Sequence, residues 1–275
     1  MCLKLTLCKL FNINIDMITK KEVNSLALEH KVRTSTIDKD WVLGHFIDGI
    51  FSIPECRDTL IFKGGTCLKK CRFPNYRFSE DLDFDNFNLD ESDFIKLSKE
   101  IVSGLQMEGY SVEIRNVLKR AFRCYIRLPE ILFDQNLSNL KSEKILIQVD
   151  TEPHGFSYTP DPVFLNKFDI FTQIAVTPPD ILLAQKFYAL LNRKRAKGRD
   201  FYDVIFLLQK TKPNYDYLKQ KTGIADPQAL KKALLGHLKS MNLKDLARDM
   251  EPFLFQPSDS KKIVSFLEYI KQAYL

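Results

Sequence analysis

The residues best placed to do chemistry lie between Lys63 and Asp85, in the stretch KGGTCLKKCRFPNYRFSEDLDFD. Asp81 and Asp83 are separated by one residue. On a strand that spacing turns both carboxylates to one face and sends Leu82 and Phe84 to the other. Two carboxylates so close repel each other, and a cation between them relieves the repulsion. A donor set made only of oxygen suits Mg²⁺ (or Mn²⁺), which keeps part of its water and takes substrate phosphates as ligands. The competing reading is a solvated acidic turn. An EF-hand loop is excluded. Asp81, Asp83 and Asp85 would fill its first, third and fifth positions, but Asn86 stands where glycine is required and Ser92 where glutamate is.

Just upstream, Thr59 to Lys63 reads as a short strand that Gly64 and Gly65 break before Thr66 opens a short helix, TCLKKC. Two glycines let the backbone approach a ligand closely. A helix N-terminus adds unpaired N–H groups and a partial positive charge, which together make an anion cradle. Thr66 would contribute a hydroxyl donor. The same residues also suit a tight strand-to-helix turn with no ligand, and no Walker P-loop is present. A third carboxylate, Asp150, closes the apolar strand KILIQVD, where it either joins the Asp81/Asp83 pair or faces solvent. Three carboxylates around a metal ion, beside a phosphate cradle, fit attack on the α-phosphate of a nucleotide.

These residues need elements to hold them. Residues 18 to 53 read as two helices, with Asp38 as a cap for the second and Trp41, Val42, His45, Phe46, Gly49 and Ile50 at helical spacing. A strand is expected at Asp81 to Phe84, then a helix from Asp90 to Gly109 with Asp90 or Ser92 as cap. SVEIRNV, FRCYIRL, KILIQVD and FDIFTQIAV read as strands. After Pro178–Pro179 the chain changes character and reads as helix to its end, with breaks near Gly198, Pro213, Pro227 and Pro257. The fold class expected is α+β: a mixed sheet flanked by helices over 1–177, followed by an all-α part over 178–275. In that part Leu183, Lys186 and Leu190 form one helical stripe. A lysine in an apolar stripe snorkels, or meets a buried acid or a phosphate. Asp203 lies on the next helix with Phe206 and Leu207, so a Lys186–Asp203 tie between helices is one reading. Asp200 is read as that helix's N-cap.

The chain of 275 residues, with 45% hydrophobic and 28% charged residues, has ordinary globular composition. No apolar run reaches the ~18 residues of a membrane span, and the start, MCLKLTLCKLFNINID, lacks the features of a secretory leader. Six cysteines (Cys2, Cys8, Cys56, Cys67, Cys71 and Cys124) are too sparse for a disulfide scaffold, and Cys67/Cys71 has no second pair to complete a zinc site. Reduced thiols and a cytoplasmic location are expected. The net charge of +6 permits a polyanionic partner without demanding one. Arg193, Lys194, Arg195, Lys197 and Arg199 form a basic loop that is either solvated or contacts a nucleic acid backbone or a triphosphate. His30, His45, His154 and His237 are assigned no role.

The Gly-Gly-Thr turn and Asp-x-Asp strand resemble those of the minimal nucleotidyltransferases of the DNA polymerase β type. More narrowly, KGGTCLKK followed by RFSEDLDF is similar to the AbiEii toxin family, related to the MenT toxins. LLAQKFYALLNRKRAKGRDFYDVIFLL resembles that family's lysine-containing helix followed by an Arg-Asp-x-x-Asp helix. The likeness runs over most of residues 38 to 210. It implies a nucleotidyltransferase-type sheet in 1–177 and a helical domain, 178–275, that completes the active site. It implies a metal-dependent transfer of NMP from an NTP to an acceptor, with RNA and above all tRNA expected, by a toxin of a toxin–antitoxin or phage-defence system, an antitoxin encoded nearby being the partner such a pair would have. Asp81, Asp83 and Asp150 would hold the metal, with Asp150 as general base or third ligand. Lys63, Gly64, Gly65, Thr66, Arg77 and Ser79 would bind the nucleotide, and Lys69 would add positive potential. Arg77 either contacts phosphate or fixes the loop. Lys186 and Asp203 are carried over as active-site residues, Lys186 neutralising charge on the phosphates. A small-molecule acceptor, as in the aminoglycoside nucleotidyltransferases, and a non-catalytic nucleotide- or partner-binding module are the alternatives.

Overall fold

The computed structural model describes residues 20–73, 76–107, 111–119, 121–129, 144–168 and 170–275. The N-terminal stretch with Cys2 and Cys8, and the expected helix end at Gly109, lie outside them. The chain divides into two compact units between Val176 and Thr177.

The first unit opens with two helices, α1 (Lys20–His30) and α2 (Thr34–Ser52). Asp38 does not cap α2: the helix starts four residues earlier, after Arg33, and Asp38 is buried inside it. A short α3 (Pro54–Thr59) leads into β1 (Leu60–Lys63). The glycine turn is helical from Gly64 to Cys67 (α4) and continues as a π-helical turn over Leu68–Arg72. Then come β2 (Asp81–Asn86), α5 (Glu91–Met107), β3 (Glu113–Leu118), β4 (Phe122–Pro129), β5 (Lys144–Pro153), β6 (Asp161–Lys167) and β7 (Ile170–Val176). Asp90 caps α5, its carboxylate accepting from the Asp93 N–H at 2.9 Å.

Among the described residues seven strands form one mixed sheet in the order β3-β4-β5-β2-β1-β7-β6. The strand β6 escapes sequence reading because it is an edge strand: Pro162 sits at its start, where a missing N–H costs no ladder bond, and its outward residues include the exposed Phe164. Parallel pairing joins β2 to β5 and β1 to β7, and the other neighbours are antiparallel. This is the expected α+β arrangement. On one sheet face lie Phe62, Leu82, Phe84, Cys124, Ile126, Ile147 and Val149, all essentially without solvent contact. Phe51 of α2 meets Phe84 with ring centroids 6.2 Å apart, and Phe94 of α5 meets Phe122 at 5.6 Å. Each such side chain contributes roughly 1.5–3 kcal/mol on burial. Packing this face fixes which way the alternate residues point.

The second unit holds no strand. Its helices are α6 (Pro179–Asn192), α7 (Gly198–Leu208), α8 (Tyr215–Thr222), α9 (Pro227–Leu238), α10 (Leu243–Met250), α11 (Lys261–Val264) and α12 (Phe266–Gln272). Asn214, Asp226 and Asn242 cap α8, α9 and α10 through their side chains. Phe201 and Phe266 meet edge-on at 4.9 Å in its core. Among the described residues, no helix of either unit is long and apolar enough to cross a membrane.

One buried ion cluster ties α2 to the turn after α4. Asp40 lies 3.0 Å from Lys69, 3.1 Å from Lys70 and 2.7 Å from Lys167. Lys70 also donates to the Asp40 carbonyl at 2.8 Å. Burial alone would raise the Asp40 carboxyl, but the three ammonium groups hold it well below the usual carboxylate range. Burial, with Lys167 and Lys70 as like-charged neighbours, pulls Lys69 down to about 7 against the attraction of Asp40. Lys69 is therefore committed here and is not free to add positive potential elsewhere.

The Asp40 carboxyl titrates below its ordinary 3.8 in the folded chain. Its contribution to stability is complete above that pH and is lost progressively as the pH falls below it toward the lower folded value. Urea unfolding at pH 7 is expected to show Asp40→Asn destabilised by about 3–5 kcal/mol, since three cations lose their acid. The variant should also lose less stability than the parent between pH 5 and pH 3.

Candidate active site

The acids of β2 form a row that the sheet register defines. Asp81, Asp83 and Asp85 share the face opposite Leu82 and Phe84, and β5 runs parallel beside them. Asp81 stands across from Gln148, Asp83 from Asp150 and Asp85 from Glu152. The sheet thus brings Asp83 and Asp150 side by side, with Asp81 one pleat away. All three are partly exposed. The Asp150 carboxylate accepts from the Gln148 side-chain amide at 2.9 Å and lies 3.2 Å from Arg123. Burial pushes its pKa up; Gln148 and Arg123 oppose the shift, and the charge of Asp81 adds to it.

The glycine turn packs directly on this row. Gly64 has φ +80°, a left-handed conformation that costs other residues strain. A side chain there would collide with the Asp83 carboxylate. At Gly65 a Cβ would overlap the Arg77 guanidinium and come 2.7 Å from the Ser79 hydroxyl. Arg77 is 1% exposed, donates to the Phe78 carbonyl at 2.9 Å and lies beside the Tyr76 ring. Arg77 and Ser79 therefore support the turn from inside. Thr66 is fully buried, and its hydroxyl donates to the Asp81 carbonyl at 2.6 Å. That hydroxyl proton ties the turn to β2 and is not directed outward. The donors the turn can offer an anion are its backbone N–H groups.

Lys63 is paired rather than free. It lies 2.7 Å from Asp85 and 3.7 Å from Glu152. Asp85, without solvent contact, also receives the Tyr158 hydroxyl at 2.7 Å and lies 2.9 Å from Nδ1 of His154. Phe87 stacks on the His154 ring. Burial would raise the Asp85 carboxyl, but Lys63 and His154 hold it below the usual range. Sequence reasoning missed this network. The signal available was Asp85 itself, two residues beyond Asp83 and hence on the same face.

In the second unit, Lys186 of α6 lies 2.8 Å from Asp203 and 3.2 Å from Asp200, both on α7. Asp203 is fully buried and Asp200 nearly so. Asp200 is not an N-cap. Lys197 occupies that position without a side-chain cap, and Asp200 turns inward to Lys186, with Arg193 at 3.5 Å. Arg199 belongs to α7, its guanidinium 5.1 Å from the Phe253 ring, and so does not extend the basic loop.

Asp81, Asp83 and Asp150 offer only oxygen, and the upward push of Asp81 on Asp150 is the repulsion a hard divalent cation relieves. In these respects the row fits Mg²⁺. Among the described residues no three His, Cys, Asp or Glu side chains converge as a ready metal cluster. Arg123 and Gln148 hold the Asp150 carboxylate instead.

A search of the curated proteins finds no match. The family model described as the nucleotidyl transferase AbiEii toxin of a type IV toxin–antitoxin system matches residues 45–271. That span takes in the glycine turn, the acid row and the Lys186–Asp203 pair. The resemblance read from the two motif blocks is thereby established, and the chain belongs to the AbiEii family of nucleotidyltransferase toxins.

Proposed function

We propose that this enzyme transfers NMP from a metal-bound NTP to the end of an RNA, with tRNA as the first candidate, and that an antitoxin encoded nearby restrains it in the cytoplasm. The observation that carries the reading is the register that sets Asp83 beside Asp150, with the Gly64 backbone against the Asp83 carboxylate. Asp81, Asp83 and Asp150 would hold Mg²⁺, which when bound neutralises phosphate charge. The N–H groups of Gly64, Gly65 and Thr66 face the β- and γ-phosphates, while Arg77 and Ser79 keep the turn in shape. Lys63 acts through Asp85, anchoring the inner end of the acid row. Where Asp150 acts as general base and not as third ligand, it takes the proton from the acceptor hydroxyl. Arg123 and Gln148 orient it meanwhile. Lys186 and Asp203 are kept as active-site residues on the family's paired-helix motif.

The test incubates the protein with each radiolabelled NTP and total cellular RNA. Label is expected in the tRNA band and absent with Asp83→Asn or in EDTA. Asp150→Asn should lower the transfer rate by about 10²–10⁴-fold, the usual contribution of a general base. Label that enters no RNA with any NTP rejects the RNA acceptor.

For Lys186 the two buried carboxylates beside it tie stability to any substitution. Lys186→Met removes the cation that buried Asp203 and Asp200 share and should cost about 3–5 kcal/mol of stability as well as activity. Lys186→Arg separates the two effects, because it keeps the charge between Asp200 and Asp203. A stable but inactive Arg variant is expected in melting and transfer assays. A stable and active one would reduce Lys186 to a tie between α6 and α7.

A further inference from the structure

The face of the sheet that carries the acid row continues past β5 onto the β3–β4 hairpin, and there its chemistry reverses. The register extends Asp81–Gln148 to Tyr125 and Arg115, and Asp83–Asp150 to Arg123 and Val117. One pleat further, Arg127 pairs with Glu113 on one side and Leu146 on the other. Arg115, Arg123, Tyr125 and Arg127 therefore share one face with Asp81, Asp83 and Asp150. The opposite face of the hairpin carries Phe122, Cys124, Ile126 and Leu128 and packs on α5 through Phe94. The hairpin has no choice about which face it shows to water.

That outward face is strongly basic. The described residues 113–119 and 121–129 hold four cations, Arg115, Lys119, Arg123 and Arg127, against one acid, Glu113, a net of +3 from a chain whose total is +6. The side chains of Arg123 and Arg127 are 47% and 55% exposed. Arg123 reaches toward Asp150, whereas Arg127 lies a loose 3.9 Å from the exposed Glu113. Exposed pairs of that kind contribute little and exchange readily for a stronger anion. Arg115 and Arg127 flank the partly exposed Tyr125, an arrangement of cations around an aromatic ring that suits a single nucleic acid strand. Phosphates meet guanidinium groups, and a base stacks on the ring. Three inter-strand steps of about 4.8 Å separate β3 from β2, roughly 14 Å in all.

We propose that the acceptor RNA lies on this face of the β3–β4 hairpin, with phosphates on Arg115 and Arg127 and a base on Tyr125, so that its reacting end leads to the Asp81/Asp83/Asp150 row. The inference rests on the RNA-acceptor reading above and names the surface that reading leaves unassigned. The basic residues of the α6–α7 loop are not needed for it.

The experiment measures binding of a fluorescein-labelled single-stranded RNA by anisotropy across a salt series, alongside transfer of radiolabelled NMP to total RNA. The proteins compared are the parent, Arg115→Ala/Arg127→Ala, Arg115→Lys/Arg127→Lys and Tyr125→Ala, with thermal melting confirming that each is folded. Loss of two phosphate contacts should flatten the log–log salt slope by about 1.4, at about 0.7 per contact on a single strand. The double lysine variant should recover most of the slope. Tyr125→Ala should weaken binding about tenfold with the salt slope unchanged, as expected for a lost stack. If the parent binds RNA and labels it, and the double alanine variant binds with the same affinity and slope, the hairpin assignment is overturned while the RNA-acceptor reading stands. If the parent neither binds nor labels RNA, both fall together.

Discussion

Three aspartates alternate along a strand that is walled in by β1 on one side and β5 on the other. A central strand has no edge along which its charges can swing into water, and unpaired buried carboxylates are costly. The surroundings of β2 can be understood as answers to that constraint. At the inner end, Asp85 is dry and satisfied by Lys63, His154 and Tyr158. At the outer end, Asp81 and Asp83 stay partly exposed, and their neighbour Asp150 is held by Arg123 and Gln148. One strand therefore carries both an anchor and an open end, and the alternation that creates the difficulty also keeps every acid on one face.

The glycine turn belongs to the same solution. Its two glycines are required by two particular neighbours, Asp83 against Gly64 and Arg77 against Gly65. The Thr66 hydroxyl then locks the turn to the backbone of Asp81. Turn and strand are bonded into one piece, so the distance between the N–H groups of the turn and the carboxylates of β2 is fixed by the fold, with no loop left to find it. Such pre-arrangement favours polar chemistry, because little reorganisation remains when charge develops.

Much of this was legible in the sequence. The Asp-x-Asp spacing and the Gly-Gly-Thr break each carry a short-range geometric rule, and the parallel β2–β5 register joins them to Asp150, which lies inside β5 and not at its end as the apolar run KILIQVD suggests. What could not be read is long-range. Nothing in the spacing of Lys63, Lys69 or Thr66 tells that each already has a partner, since Asp85, Asp40 and the Asp81 carbonyl become neighbours only through tertiary packing. Asp200 was misread for a related reason. Its position near the start of α7 suits a cap, but its inward face meets Lys186, and a buried ion pair overrides a local preference. The edge strand β6 lacked the apolar run that marks buried strands.

The two buried ion clusters differ in a way that bears on what each can do. Around Asp40 three lysines share one carboxylate, and burial, with the neighbouring Lys167 and Lys70 adding to it, lowers the pKa of Lys69. Around Lys186 two carboxylates share one lysine, with Arg193 approaching from the exposed side. Neither arrangement is the one a chain would use for stability alone, because well-packed apolar residues of the same volume do as well or better. Charge clusters do, however, specify geometry. The Asp40 cluster permits one placement of α2 relative to the turn after α4, since three ammonium groups from two segments must converge on a single carboxylate. A slip of one residue along α2 would point that carboxylate about 100° away from them. The glycine turn runs straight into the segment that carries Lys69 and Lys70, and so inherits part of its position from α2.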